Sequence, residues 1–368
     1  MAWNWQHKNW PDFTYDTTLL TAYEKDFLHN AGMLYGSLKH VSSKDQDVLK
    51  VMLISDEAYK TSEIEGELLN RDSLQSSIRK HFGLKGDVRR ISPAEQGISE
   101  MMIDLYKNYH TPLSHEQLCQ WHAMLAKGRR DLLDIGSYRT HDDAMQIVSG
   151  PMNRPRIHYE APPSHQVKKE MDLFISWFNS TESLDPLTRA GIAHLYFESI
   201  HPFEDGNGRI GRAVSEKALS QSLQRPTLIA ISHTIEHDKK KYYEALHQNS
   251  TRLDITEWLV YFCKMVLQAQ NYTQGRINFL IEKAGFYQRF EAKLNERQQK
   301  VVARIFKEGI HGFQGGLSAD NYRRITKTTA STATRDLQKL VELEAFIRTG
   351  ERKGTRYYLN IDYPGGLL

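Results

Sequence analysis

The sequence predicts a mainly α-helical protein with one β-hairpin, followed by a C-terminal winged helix-turn-helix. Apolar residues recur at helical spacing through most of the 368 residues, as in LLTAYEKDFLHNAGMLYGSL near the N-terminus. Glycine and proline interrupt this pattern between residues 136 and 163. After residue 290 a basic region with a different pattern of helices and strands follows. These three observations define the fold class and its main boundaries.

Length and composition are those of an ordinary globular protein. The chain is long enough for two or three domains, and we place them at 1–90, 91–285 and 286–368. Apolar residues make up 40% and charged residues 25% of the chain, so a core can form without disulfides or metals. Cys119 and Cys263 are far apart in the sequence and fit buried thiols in a reducing cytosol.

No part of the sequence indicates a membrane. The N-terminal MAWNWQHKNWPDF lacks the apolar core of a signal peptide, and no stretch approaches the ~18 uncharged apolar residues of a membrane span. We therefore expect a cytoplasmic protein.

The first 80 residues and the middle of the chain have helical patterns. DVLKVMLISDEAYKTSEIEGELLN, residues 47–70, predicts one helix. DPLTRAGIAHLYFESI predicts another, because Asp185 and Pro186 are typical of a helix start and Pro202 disfavours helical geometry at His201. Between the glycines and prolines that break helices, MQIVS and RIHYEA predict the two strands of a hairpin.

The C-terminal region predicts three helices and two strands. NERQQKVVARIFKEG, LSADNYRRIT and TTASTATRDLQKLVELE have helical spacing, and AFIRTGERKGTRYYLN follows with two short strands, the order of a winged helix-turn-helix. Leu337, Leu340 and Val341 would face the core. Residues 291–368 carry 14 Lys/Arg against 9 Asp/Glu. This excess favours contact with DNA, although such domains also bind proteins and a basic surface can be simply solvated.

The stretch HPFEDGNGRIGR, residues 201–212, concentrates unusual chemistry. Gly206 and Gly208 let backbone amides converge at the start of the following helix, which is a ready anion site because its N–H groups are unpaired. Arg209 and Arg212 are three residues apart and lie on one side of that helix, where their guanidinium groups suit phosphate oxygens. Two arginines and an amide nest imply more than one phosphate.

Two further side chains of this stretch suit phosphate chemistry. Asp205 would be repelled by a polyphosphate unless a cation such as Mg²⁺ bridged the two. His201 has an ordinary pKa near neutrality and can accept a proton from an incoming hydroxyl. Phe203 would anchor the loop in the core.

The stretch resembles the signature of the Fic family, H-x-F-x-[D/E]-G-N-G-R-x-x-R. Every fixed position is filled: His201, Phe203, Asp205, Gly206, Asn207, Gly208, Arg209 and Arg212. The resemblance implies a mostly helical enzyme that transfers AMP from ATP to a Ser, Thr or Tyr hydroxyl of a target protein and releases pyrophosphate.

The resemblance also implies roles for individual residues. His201 would deprotonate the target hydroxyl, and Asp205 would hold Mg²⁺ between the α- and β-phosphates. The nucleotide phosphates would lie on the segment Gly206, Asn207, Gly208, Arg209, Ile210, Gly211 and Arg212.

Residues 138–163 resemble the family's flap, a hairpin whose edge pairs with an extended segment of the target. Ile147 and Val148 would form the flap wall above the nucleotide. The stretch KYYEALHQN resembles the part that closes over the adenine, with Tyr242, Tyr243 and Asn249 as candidates. A helix-core position for the tyrosines and a capping role for Asn249 are equally open.

The stretch TSEIEGE resembles the family's inhibitory motif [S/T]-x-x-x-E-[G/N], with Thr61, Glu65 and Gly66 at the fixed places. The resemblance implies that Glu65 pairs with Arg212 and so removes a ligand of the γ-phosphate. An exposed acidic helix is the alternative. The pairing could occur within one chain or across a homodimer.

Three alternatives remain open from the sequence. A Fic enzyme could use another nucleotide or a phosphocholine donor, or could remove AMP from a modified protein. The chain could also be a DNA-binding regulator whose Fic domain senses nucleotides.

Overall fold

The computed structural model describes residues 2–84, 91–149, 156–309, 313 and 315–362. These residues form two compact units. The first unit contains Met1–Met33 and Asp47–Thr273, and the second contains Leu34–Gln46 and Gln274–Leu368.

Helices dominate the described part of the chain. They are α1 Thr21–Leu38, α2 Ser43–Ile64, α3 Arg71–His81, α4 Pro93–Asn108, α5 His115–Leu125, α6 Ser164–Ser180, α7 Pro186–Ile200, α8 Asn207–Leu223, α9 Ile231–His237, α10 Lys239–Gln248, α11 Thr256–Phe290, α12 Glu296–Lys307, α13 Ala319–Thr326 and α14 Ala330–Glu342. The strands are β1 Gln146–Ser149, β2 Arg156–Glu160, β3 Phe346–Thr349 and β4 Arg356–Leu359. The predicted mainly helical class with a small hairpin is confirmed.

Helix α7 lies at the centre of the first unit and packs against α8. Nearly all of its residues are buried, as expected for a helix surrounded by protein, and Leu187, Ala193 and Phe197 are fully buried. A Cβ atom at Gly211 would collide with Glu198 and approach Phe197. The glycine therefore lets the two helices approach closely, and burial of each large apolar side chain contributes about 1.5–3 kcal/mol to this platform.

The loop between α7 and α8 starts and ends on residues in the left-handed region. His201 has φ 49° and Gly206 has φ 84°. Pro202 disfavours helical geometry in the residue before it, so α7 ends at Ile200 as predicted. Phe203 is fully buried and its ring stacks on His122 at a centroid distance of 4.4 Å. The loop is therefore anchored in the core at its middle and tightly turned at both ends.

Helix α2 is shorter at its C-terminal end than the sequence pattern predicts. It ends at Ile64 rather than continuing toward Asn70. Gly66 adopts φ 84°, and the Glu67 N–H donates to the Ser62 carbonyl at 3.0 Å. This 6→1 hydrogen bond around a left-handed glycine is the geometry of a Schellman cap. It turns the chain at residues 65–67 out of the helix axis.

The flap hairpin pairs β1 with β2 in antiparallel register, with Ile147 opposite Tyr159 and an irregularity after Ile147. The Tyr159 hydroxyl donates to the Ser199 carbonyl at 2.5 Å, which ties the hairpin to α7. The tip of the predicted flap, residues 150–155, lies outside the described residues.

The second unit contains the predicted C-terminal elements in the predicted order. Helices α12, α13 and α14 are followed by the antiparallel pair β3–β4. Leu337 and Leu340 are fully buried in the core of this unit, and Val341 packs against it.

Among the described residues, no helix is both long enough and apolar enough to cross a membrane.

Candidate functional site

A cavity of about 780 Å³ lies in the first unit, between the flap, the α7–α8 loop, the start of α8, and α10. This volume is in the range of small-molecule sites. The predicted site residues that line it are Glu65, Ile147, Val148, His201, Asp205, Gly206, Asn207, Gly208, Tyr242 and Tyr243. The fold therefore gathers four sequence-distant segments around one space.

Two residues of the predicted phosphate segment face elsewhere. Ile210 is fully buried, and Gly211 packs against α7. Neither residue lines the cavity, and their contact with nucleotide stays a prediction. An α-helix rotates 100° per residue, so the positions between Arg209 and Arg212 point to the opposite side of α8.

Asn249 is also placed away from the cavity. It caps the C-terminal end of α10, and its Nδ2 donates to the Ala245 carbonyl at 2.8 Å. The last carbonyls of a helix lack backbone partners, and a short amide side chain supplies one. Asn249 thus has the capping role that the sequence left open, and its contact with adenine stays a prediction.

The two tyrosines of α10 differ in environment. Tyr242 is 1% exposed, and its hydroxyl lies 2.7 Å from His194 Nε2. Tyr243 is 40% exposed. Tyr242 therefore combines a core position with an edge on the cavity, and Tyr243 presents its ring to the cavity more openly.

His201 is held in one orientation beside the cavity. Its Nδ1 lies 3.3 Å from the Glu198 carbonyl oxygen. A carbonyl only accepts, so the ring donates from Nδ1 and its lone pair is on Nε2. Burial lowers the pKa of His201 to about 4, against a smaller opposing effect of the Glu198 carbonyl. The imidazole is thus neutral near pH 7 and can accept a proton.

Arg139 holds the loop that carries His201, and no sequence pattern predicted this residue. This residue is 2% exposed. Its Nε donates to the His201 carbonyl at 2.8 Å, and its Nη2 donates to the Pro162 carbonyl at 2.5 Å. The guanidinium group therefore joins the loop to the base of the flap.

Asp205 lies at the edge of the cavity between two guanidinium groups. Arg129 Nη1 is 2.5 Å from Asp205 Oδ2, and Arg209 Nη2 is 3.4 Å from the same oxygen. Burial raises the pKa of Asp205, but Arg209, Arg129 and the Gly206 N–H outweigh burial and lower it. The carboxylate is therefore ionised at neutral pH.

The first residue of α8, Asn207, stabilises the loop that precedes the helix. Asn207 Oδ1 accepts from the Phe203 N–H at 2.9 Å, and Asn207 Nδ2 donates to the Phe203 carbonyl at 2.7 Å. The Asn207 side chain thus closes the loop on itself. The backbone amides of the first turn stay unpaired within the helix, as in every helix N-terminus.

Glu65 lies against this helix start. Its Oε1 is 2.7 Å from Arg212 Nη2, and a Cβ atom at Gly208 would collide with the same carboxylate. Thr61 completes the contact, because its hydroxyl accepts from Arg212 Nε at 2.8 Å. Burial lowers the pKa of Arg212, but Glu65, Tyr242 and Glu198 together outweigh burial, and the pKa is raised.

A second carboxylate of the same turn contacts the other arginine. Glu67 Oε2 is 2.7 Å from Arg209 Nη1. The Arg209 side chain is 6% exposed and that of Glu67 is 34% exposed. The sequence motif did not predict this pair. The α2 cap around Gly66 directs both glutamates toward α8, so each arginine of the predicted phosphate segment has its own carboxylate.

Glu198 is a buried carboxyl group near His201, Glu65 and Arg212. Its Oε2 is 3.8 Å from His201 Nδ1, and its Oε1 has no hydrogen-bond partner among the described residues. Burial and the neighbouring Glu65 raise the pKa of Glu198 to about 8, against an opposing effect of Arg212. The group therefore holds its proton near pH 7.

Comparisons with known proteins agree with this architecture. Residues 112–219 match the Fic/DOC family, and residues 3–84 match a domain of unknown function, DUF4172. In fold, the chain is similar to a Fic family protein from Desulfovibrio desulfuricans G20, with a TM-score of 0.54 and 19% identity over 95% of this chain and 98% of that one. It is also similar to a Fic domain-containing signaling protein from Bacteroides thetaiotaomicron VPI-5482, with a TM-score of 0.50 and 19% identity over 67% and 96% of the two chains.

Curated relatives are similar over shorter segments. The protein adenylyltransferase fic-1 of Caenorhabditis elegans is 25% identical over 195 residues, which are 51% of this chain and 35% of that protein. The protein adenylyltransferase Fic of Aedes aegypti is 36% identical over 122 residues, 32% of this chain and 23% of that protein. The chain thus matches about a third or less of these relatives' length. Residues 112–219 of the chain thus match the Fic/DOC family, and the fold around them is similar to that of solved Fic proteins.

Proposed function

We propose that this chain transfers AMP from ATP to a hydroxyl side chain of a target protein, releases pyrophosphate, and is restrained by Glu65. One observation carries the proposal. The Glu65 carboxylate lies at the start of α8, against Gly208 and 2.7 Å from Arg212 Nη2, and borders the same cavity as His201. An anionic group of the protein itself thus rests where a helix N-terminus favours an anion.

Unsatisfied donors support a phosphate ligand at this place. Arg209 Nε and Arg212 Nη1 are buried and have no hydrogen-bond partner among the described residues. Buried guanidinium N–H groups without acceptors are costly. Phosphate oxygens are acceptors that these groups bind well. The two arginines thus have donors left over after each has paired with a glutamate.

The acceptor hydroxyl would be activated by His201. The imidazole is unprotonated at neutral pH and its lone pair is on Nε2, since Nδ1 donates to the Glu198 carbonyl. A target hydroxyl within hydrogen-bond reach of Nε2 can transfer its proton there as it attacks phosphorus. The donors at the α8 start would stabilise the charge on the transferred group, which is the main task of such sites.

The residues at the cavity edge fit a magnesium ion. Mg²⁺ in phosphate sites uses one or two carboxylates and completes its shell with phosphate oxygens and water. Asp205 is ionised and lines the cavity. Mg²⁺ bound there would neutralise phosphate charge. In the described state Arg129 pairs with Asp205 at 2.5 Å, so this arginine would have to yield the carboxylate oxygen to the cation.

The flap offers a docking edge for the target. Ile147 and Val148 on β1 line the cavity and are 40% and 51% exposed. The described sheet has only the two strands β1 and β2, so an extended target segment can add to its edge by main-chain hydrogen bonds. Such a segment would carry its hydroxyl toward His201.

The inhibited state follows from the same contacts. With Glu65 on Arg212 and Glu67 on Arg209, both guanidinium groups already have an anionic partner. A nucleotide phosphate would lose these donors and also meet added negative charge. Nucleotide could then bind only in an unproductive position until the turn at residues 65–67 moves.

Radiolabelled ATP with Mg²⁺ tests the proposal directly. The purified chain is compared with Glu65→Gly and with His201→Ala in the Glu65→Gly background. We expect strong self-labelling only of Glu65→Gly. The proposal is wrong if Glu65→Gly labels no more than the parent chain, or if His201→Ala leaves labelling unchanged.

Two related reactions use the same cavity, namely transfer from another donor and removal of AMP. Binding of a ligand raises the temperature of unfolding. Thermal-shift titration with ATP, UTP, GTP and CDP-choline therefore identifies the donor, and incubation with an AMP-modified protein measures removal. We expect ATP to give the largest shift.

A further inference from the structure

The second unit presents a helix-turn-helix pair with one polar face. Helices α13 and α14 are separated by three residues, of which Lys327 adopts the left-handed conformation with φ 54°. Along α14, Ala333, Leu337 and Leu340 are fully buried. The opposite side of its first three turns exposes hydroxyl, amide and guanidinium groups: Ser331, Thr334, Arg335 and Gln338.

The acidic residue in the first three turns of α14, Asp336, points away from the exposed side. Asp336 is 6% exposed, and its Oδ2 accepts from Arg297 Nε at 2.7 Å and from the Tyr322 hydroxyl at 3.0 Å. Between residues 330 and 340 the sequence has no other Asp or Glu. Arg335 and Lys339 are the exposed charged side chains of these turns, which therefore present a positive surface.

Basic side chains surround this face. Residues 319–356 contain nine Lys/Arg and five Asp/Glu. The exposed cations flanking α14 are Arg323, Arg324, Lys327, Arg348 and Arg352. The acidic Glu342 lies at the far end of α14, where it pairs with Lys339 at 3.2 Å.

Hydrogen bonds join the β3–β4 hairpin to the helix pair α13–α14. The Leu317 N–H donates to the Tyr357 carbonyl and the Tyr357 N–H donates to the Leu317 carbonyl, both at 2.9 Å. Leu317 precedes α13, so this bridge joins the start of the helix pair to β4. The basic residues of the hairpin are thus held in a fixed relation to α14.

We infer that this basic face, defined by Ser331, Thr334, Arg335 and Gln338 with the flanking cations, binds a DNA duplex. An α-helix fits the major groove, and Ser, Thr, Gln and Arg are side chains that hydrogen-bond to base edges there. The flanking cations would contact backbone phosphates and fix the orientation. This function is independent of the proposed AMP transfer.

The composition of the face favours DNA over a protein partner. Protein interfaces depend on aromatic or large apolar anchors at their centre. Among residues 315–362 of the described structure, no large hydrophobic side chain is exposed. A polar, cationic surface without such anchors matches a polyanion.

The experiment titrates the full chain against a fluorescent duplex of about 20 base pairs at about 50 mM and about 200 mM salt. Phosphate contacts release counterions, so we expect binding at low salt that weakens at least about tenfold at the higher salt. Arg335→Ala should weaken binding about tenfold, as expected for loss of a base contact. Lys300→Ala removes one exposed charge from α12 of the same unit and is the control.

Absence of duplex binding at low salt would overturn the inference, as would equal affinities of Arg335→Ala and Lys300→Ala. Self-labelling of Glu65→Gly on the same preparations reports separately on the AMP-transfer proposal. A selection from a random duplex pool then gives the preferred bases, and Arg335→Ala should relax the preference at one or two of them.

Discussion

Replacing Glu65 by glutamine should convert the restrained chain into one that binds ATP more tightly. Glutamine keeps the shape of the side chain and removes the charge that neutralises Arg212. The glutamine oxygen can still accept from Arg212, so what is lost is the charge assistance of a 2.7 Å hydrogen bond to an arginine whose side chain is 3% exposed. Such a bond contributes about 1.5–3 kcal/mol.

This energy sets the expected change in affinity. A bond of that strength makes the restrained state about 10- to 150-fold more populated than the released state. Apparent affinity falls by the fraction of competent molecules. The Glu65 side chain is 28% exposed, so water weakens the bond and the lower end applies. We therefore expect ATP to bind Glu65→Gln about tenfold more tightly than it binds the parent chain.

Isothermal titration calorimetry with ATP and Mg²⁺ measures this change, and Glu63→Gln is the matched control. Glu63 lies in the last turn of α2, is 25% exposed and pairs with Lys60 at 2.6 Å rather than with an arginine of α8. Glu63→Gln should bind ATP like the parent chain. Equal affinities of Glu65→Gln and Glu63→Gln would refute the argument that the carboxylate competes with phosphate.

Three further changes test neighbouring parts of the site. Glu67→Gln should tighten ATP binding by about threefold, less than Glu65→Gln, because its pair with Arg209 is more exposed; no change in calorimetry would remove Glu67 from the restraint. Arg129→Ala should lower the Mg²⁺ concentration that half-saturates self-labelling in the Glu65→Gly background, because it frees Asp205; an unchanged or higher requirement would contradict this. Glu198→Gln should flatten the dependence of unfolding free energy on pH between about 6 and 8, measured by urea titration.

The sign of the Glu198 effect follows from its pKa, which is raised from 4.5 to about 8 in the folded chain. The unfolded chain loses this proton at lower pH than the folded chain does, so stability falls as pH rises through that window. The slope contributed by the group is at most ~1.4 kcal/mol per pH unit. If Glu198→Gln shows the same slope as the parent chain, the side chain is ionised in the fold and the argument fails.

The helical pattern and the twelve-residue motif predicted the parts of the site that are local in sequence. The end of α7 at Ile200, the loop and the start of α8 depend on Pro202 and Gly206, whose backbone preferences act over one or two residues. The β1–β2 hairpin was also predictable from local sequence, since glycines and prolines flank two short apolar runs. These features need no knowledge of distant segments.

The contacts that hold the motif were not predictable in the same way. Arg209 and Glu67 are 142 residues apart, and Arg139 reaches the His201 carbonyl from 62 residues away. No pattern in one sequence specifies such pairs, because they depend on how the helices pack. The family resemblance of the inhibitory motif identified Arg212 as the partner of Glu65. No motif indicated that Glu67 would pair with Arg209.

The placement of three predicted nucleotide contacts has a physical reason that the sequence already contained. Ile210 and Gly211 lie between two arginines that share a side of α8, so helical periodicity places them on the opposite side. Asn249 follows the last periodic residue of α10, where a short amide serves as a cap as readily as a ligand. In both cases the position within the helix decided the role.

Intact-mass spectrometry of Glu65→Gly after incubation with ATP and Mg²⁺ tests the central claim most directly. We expect a mass gain equal to one AMP, which disappears when His201 is also replaced by alanine. No gain in Glu65→Gly, a gain equal to a phosphate, or a gain that persists without His201 would contradict it.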